Sequence, residues 1–246
     1  VGVILLSTVF FSVFGIGNWK WLACIWAIIP LYNMFNFITC PIEHPAEDGQ
    51  GMSIGNLLKT PVFIISILLM ICAGASELSM AQWASAFAES ALDLSKAMGD
   101  IAGPCLFAVT MGISRSLYGK YGDRLDLIKF MIGSGMLCLI CYLVASLSDI
   151  PMLGLAGCII CGFSVGIMWP GAISICSGKM PSGGTAMFAL LAMAGDLGGA
   201  IGPGIVGNIS QSAGDDIRKG VLAGCIFPLV LVILTFVISK NVNKNR

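Results

Sequence analysis

The chain predicts an all-α integral membrane protein of about eight transmembrane helices. Three observations carry this. Of 246 residues, 57% are hydrophobic and only 11% charged, against about 25% charged in soluble domains. Mean hydropathy is +0.93. Apolar runs close to the ~20 residues a bilayer-crossing helix needs recur along the chain. In lipid every backbone polar group must be bonded within its own segment, so these runs are helices. No strand-like alternation competes with them.

The predicted spans are 1–16, 20–40, 61–88, 97–117, 128–148, 151–176, 183–208 and 218–239. The first is apolar from Val1 onward and short for a crossing, which predicts that the N-terminus of a longer protein is missing. The second has Lys20 at its head and no further charge. The third encloses one acid, Glu77, and the fourth is uncharged over 101–114. The fifth is uncharged over 130–148, and the sixth throughout. The seventh encloses Asp196, and the eighth begins on Arg218 and Lys219. Residues 41–60, rich in Pro, Gly and acids, read as a linker. The organisation is therefore two helices in 1–40, the linker, and a six-helix unit in 61–246.

Basic residues fix the expected orientation. Lys59, Arg115, Lys120, Arg124, Lys129, Lys179, Lys240, Lys244 and Arg246 fall on one side, nine against the four of Lys20, Lys96, Arg218 and Lys219. The nine-residue side, with linker 41–60, loop 115–129 and the C-terminus, is expected to be cytoplasmic, in a multi-pass plasma-membrane protein. The opposite side carries Glu89, Asp93, Asp100, Asp149, Asp215 and Asp216. Net charge is zero, so nothing points to a nucleic-acid partner.

Several enzyme and metal patterns dissolve in context. Cys138-x-x-Cys141 and Cys158-x-x-Cys161 have zinc spacing, but they lie in apolar runs where cysteine behaves as a small hydrophobe. Gly162-Phe-Ser164-Val-Gly166 matches a nucleophile elbow, yet the sole histidine, His44, sits in the linker. His44 beside Glu43, Glu47 and Asp48 reads as a solvated loop. No phosphate-binding Gly-Lys-Ser/Thr loop occurs. No metal or cofactor is expected, and no enzymatic activity.

Glu77 and Asp196 are the two acids deep within spans, and ionisable groups there are functional candidates. Ala73, Gly74, Ala81 and Ala84 flank Glu77 at helical spacing, a face suited to a bundle interior or cavity. No Lys, Arg or His lies at similar depth, so both acids are expected to lack a cationic partner. A protonated hydrogen-bonded acid, a proton carrier and a ligand-binding carboxylate all fit. Gln82 and Trp83, just beyond Glu77, read either as cavity lining or, for Trp83, as an interface anchor. Gly162-x-x-x-Gly166, Gly195-x-x-x-Gly199 and Gly198-x-x-x-Gly202 allow close helix contact. Pro170 and Pro203, each flanked by glycine, are expected to bend or break their helices. A broken helix beside a cavity is one reading of this, and plain packing the other.

One loop names a family. Gly119-Lys-Tyr121-Gly122-Asp123-Arg124 resembles the Gly-x-Leu-Ala-Asp-Arg-x-Gly-Arg-Lys hairpin of the major facilitator superfamily. Tyr121 and Gly122 replace Leu and Ala, Asp126 replaces the second Gly, and Leu127 and Ile128 replace the bases. The resemblance implies a twelve-helix transporter fold in which this chain supplies spans five to twelve and the first four helices are its missing partners. It implies that Gly119, Asp123 and Arg124, with Arg115, form a gating network. Gly74-Ala-Ser-Glu77, Trp169-Pro170 and the run Gly195–Pro203 look like the fucose-permease-like sugar symporters, which implies a small polar solute such as a sugar, coupled to protons. Export of drugs or organic cations by the same fold is the alternative, for which an unpaired Glu77 is suited. An intramembrane aspartyl-type protease using Glu77 and Asp196 is the alternative from another class.

Overall fold

A computed structural model describes residues 2–40, 51–92 and 95–243, without the side chains of 90–92, 96–97, 123 and 241–243. His44 with Glu43, Glu47 and Asp48, Asp93 and the Asp123 side chain therefore lie outside the described residues, as do the other positions of 41–50 in the expected linker. Among the described residues every regular element is helical and there is no strand. The chain forms two compact units, Val1–Gln50 and Gly51–Arg246.

The first unit holds α1 (Gly2–Phe14) and α2 (Trp19–Thr39), joined through a 3-10 turn at Ile16–Asn18. Gly15 permits this turn by adopting φ 76°. Among its described residues nearly all the apolar side chains are exposed, and Leu22 is the one that is buried.

The second unit opens with α3 (Ile54–Lys59). Ser53 caps it, accepting from the Asn56 amide, and Leu57 is fully buried. Residues 51–59 of the expected linker thus pack into this unit, where the Met52 amide donates to the Ser182 carbonyl. Six rods follow. They are α4 (Pro61–Leu92); α5 (Lys96–Asp100) continuing into α6 (Leu106–Tyr121); α7 (Leu127–Leu147); α8 (Pro151–Val165) with α9 (Met168–Lys179); α10 (Gly184–Ser212); and α11 (Ile217–Gly224) with α12 (Ile226–Asn243).

Among the described residues six helical segments are long and apolar enough to cross a membrane: Ile16–Thr39, Pro61–Glu89, Leu127–Leu147, Pro151–Lys179, Pro181–Ser212 and Ile217–Lys240. Spans predicted at 1–16 and 97–117 do not join them. The first forms a 13-residue helix. In the second a π-helical turn, Ile101–Cys105, interrupts the rod. Pro104 explains that turn, because proline has no N–H for the Asp100 carbonyl four residues earlier.

Glycines set how closely the rods approach. A Cβ on Gly74 of α4 would collide with the Gly195 carbonyl of α10, and one on Gly198 would collide with the Ile71 carbonyl. A Cβ on Gly162 of α8 would strike the Phe107 carbonyl of α6. Apolar side chains gain little by leaving lipid for protein, so backbone-to-backbone packing of this kind is a main source of cohesion. The paired cysteines lie in the same core: Cys138, Cys141, Cys158 and Cys161 are buried, free thiols between α7 and α8. No metal-binding group of His, Cys, Asp or Glu occurs among the described residues.

The α6–α7 hairpin turns through a 3-10 turn at Gly122–Arg124. Asp126 then caps α7, its carboxylate accepting from the Lys129 amide at 3.2 Å. That bond, with smaller contributions from the Lys129 ammonium, holds the Asp126 carboxyl below its ordinary value. Capping stability from a lowered pKa is present above the unfolded value of about 3.9 and disappears as pH falls through the lower folded value. Asp126→Ala is expected to speed hydrogen exchange at the Lys129 amide at neutral pH, and Asp126→Ser to restore protection, since serine also caps. Equal protection in the alanine variant would remove the cap from the account.

Candidate functional site

The site is built around an interrupted helix. Between α8 and α9 the chain turns at Gly166 and Ile167, one turn ahead of Pro170. Pro170 has no N–H to give the carbonyl four residues earlier, which is that of Gly166. The helical ladder resumes one residue later, with the Gly171 amide donating to the Ile167 carbonyl at 2.7 Å. The Gly166 carbonyl is therefore left with an acceptor position to fill.

Arg115 of α6 fills it. Its Nε–H donates to the Gly166 carbonyl at 3.2 Å. Gly166 also allows α6 to come near, since a Cβ there would meet Ser114 Cβ at 2.8 Å. A second guanidinium nitrogen of Arg115 reaches Glu77 Oε2 on α4 at 3.5 Å, and the Glu77 side chain is 14% exposed against 46% for Arg115. One guanidinium thus ties α4 and α6 to the helix break.

This corrects the expectation that Glu77 lacks a cationic partner. Span 97–117 and loop 115–129 overlap at Arg115, which the orientation count groups with the cytoplasmic bases; α6 runs on to Tyr121 and carries Arg115 within the helix. Its long side chain spans the gap to Glu77. The small face around Glu77 is as expected: Ala73 and Ala84 are fully buried and Gly74 packs on α10. Tyr142, fully buried on α7, donates its hydroxyl to the Ser76 carbonyl at 2.7 Å and so fixes α4 beside Glu77. Nothing at sequence level singled out Tyr142, although a phenol inside an apolar run needs a hydrogen-bond partner.

Spare polar groups lie close along the chain. Trp169, one turn after Gly166, has a buried Nε1–H with no acceptor among the described residues, and the Oγ atoms of Ser76 and Ser114 are likewise unpartnered. Buried donors without partners are uncommon and call for a reason. The indole ring rests on Gly195 of α10, where a Cβ would lie 2.8 Å from the ring's Cζ2.

The other expected site residues are dispersed. Asp196 is exposed on α10, with no hydrogen bond or ion pair among the described residues. Gln82 is exposed, whereas Trp83 is half-buried and donates Nε1–H to the Pro203 carbonyl at 3.3 Å. Pro203 does not break its helix, since α10 is continuous from Gly184 to Ser212. Gly119 faces open space, and Arg124 is exposed without an ion pair among the described residues. An aspartyl dyad needs two carboxyls sharing one proton. Glu77 instead lies on a guanidinium while Asp196 is exposed, so the protease reading has no geometry behind it.

Comparison with protein families gives a match over residues 1–203 to a model described as Major Facilitator Superfamily. No curated protein matches the chain.

Proposed function

The chain belongs to the major facilitator superfamily, a family of secondary transporters rather than enzymes, and on that premise we propose that the Glu77–Arg115–Gly166 cluster belongs to its solute site. As a member it is a multi-pass membrane protein acting on a small-molecule substrate. Our reading is that it moves a small polar solute by alternating access, with loop 115–129 and the C-terminus cytoplasmic and its helices serving as spans five to twelve. Asp123 and Arg124 act at the cytoplasmic gate, and Asp196 is the second candidate for solute contact.

The supporting observation is the Arg115 guanidinium, which bonds Glu77 and the freed Gly166 carbonyl while 46% of its side chain is exposed. The carboxylate is neutralised, which weakens the case for an organic cation. The guanidinium has further N–H groups, and the Trp169 indole N–H lacks an acceptor. Surplus donors suit a solute rich in oxygen acceptors, such as a sugar. Protonation of Glu77 would release part of the guanidinium to that solute, which is a route to proton coupling.

Glu77→Gln in the complete transporter tests this. The expected result is uptake that is slower and that loses the pH dependence of the wild type. Uptake and pH dependence unchanged from wild type would remove Glu77 from the site.

A further inference from the structure

A second polar recess lies at the opposite end of the helical unit from the α6–α7 hairpin, where α10 turns into α11. It has a volume of about 430 Å³ and is lined by Trp83, Gly207, Ser210, Gln211, Asp215 and Ile217. That volume is within the range of small-molecule sites, roughly 300–1,000 Å³. Trp83 is fixed along one edge. Its Nε1–H is bonded to the Pro203 carbonyl at 3.3 Å, and its Cζ2 lies 2.8 Å from where a Gly207 Cβ would be. The indole is thus a rigid wall laid along α10.

Among the described residues of the lining, Asp215 is the one that carries a formal charge. Two consecutive residues of positive φ, Gly214 at 83° and Asp215 at 61°, turn the chain here. Aspartate tolerates this conformation better than most residues. The nearest bases in sequence are already engaged: Arg218 pairs with Asp149 at 3.9 Å, and Lys219 pairs with Asp216 at 3.4 Å. Asp215 has no ion pair among the described residues. The recess combines an indole, an uncompensated carboxylate, an amide and a hydroxyl. A bare metal ion would find only one carboxylate. An alkylammonium ion would find both an aromatic surface and a counter-charge.

We propose that this recess is a binding site for a small organic ammonium ion, separate from the Glu77–Arg115 cluster and independent of what that cluster carries. The test is binding of tetramethylammonium to the purified full chain in lipid nanodiscs, followed by isothermal titration calorimetry at constant ionic strength. A saturable change is expected. Asp215→Asn, whose side chain also tolerates positive φ, should weaken binding about tenfold. Trp83→Leu should weaken it by roughly three- to thirtyfold. Neopentyl alcohol, a neutral molecule with the same four-branched core and one added hydroxyl, should give no saturable change. No saturation in the wild type, an Asp215→Asn titration equal to wild type, or equal binding of the neutral analogue would each overturn the proposal. Because no transport is measured, this outcome is independent of that of the uptake test.

Discussion

Arg115→Ala is expected to abolish solute uptake and to destabilise the helical unit by about 1–3 kcal/mol. The variant removes two bonds, one to Glu77 and one to the Gly166 carbonyl. It leaves a carboxylate that is only 14% exposed without its counter-charge. Stripping one partner from a fully buried pair costs about 3–5 kcal/mol. Arg115 is nearly half exposed, so solvent screens part of the loss and the smaller range applies. Arg115→Lys should rescue little. An ammonium is a point charge, whereas Nε and the terminal nitrogen of arginine hold fixed directions toward two acceptors on different helices. The double variant Arg115→Gln with Glu77→Gln separates stability from function. It removes both charges, so the melting temperature should recover much of the single-variant loss while uptake stays absent. Wild-type uptake by Arg115→Ala would show that the ion pair has no part in transport.

The positions of the helices were largely legible, because each crossing must be apolar and its ends collect charge. The same logic misplaced Arg115. A charge near the end of a span reads as solvated loop, yet its side chain can extend back along the helix toward a buried partner, as Arg115 does toward Glu77. The Gly162/Gly166 spacing marked a close-packed face, but not that α6 would occupy it. Pro170 marked a bend or break, but the donor that takes up the freed Gly166 carbonyl is 51 residues away in sequence. Likewise Trp83 meets the Pro203 carbonyl across 120 residues. Pro203 also shows that a proline next to glycines need not end a helix whose other face is packed: Gly198 and Gly202 lie against Ile71 and Ala75 of α4. Two local signals in the sequence point further. Gly103-Pro104 marks the π turn, and Asp126 followed by Leu-Ile-Lys is a helix start as well as a departure from the hairpin pattern.

Gly74→Val is expected to prevent the unit from assembling, with a destabilisation of about 3 kcal/mol or more, at or above the top of the usual overpacking range. The added Cβ would fall on the Gly195 carbonyl oxygen and 3.1 Å from the Gly199 amide nitrogen. Both are backbone atoms within α10, so no side-chain rotation can make room. The helices would have to separate, and α4 and α10 form the most extensively packed pair in the unit. Separation also withdraws Gly198 from the Ile71 carbonyl and Gly202 from Ala75, which closes the same seam at its next turns. Lipid does not drive the two helices back together as water would. Gly204→Ala is the matched control. It lies on the same helix α10 with nothing within 4 Å of its added Cβ. There the alanine should be neutral or should stabilise by up to ~1 kcal/mol, the ordinary helix-propensity gain. Thermal melting and monodispersity after detergent extraction read both variants. If Gly74→Val melted with the wild type, the seam would have slack that this packing does not allow, and backbone approach would not be what holds α4 to α10.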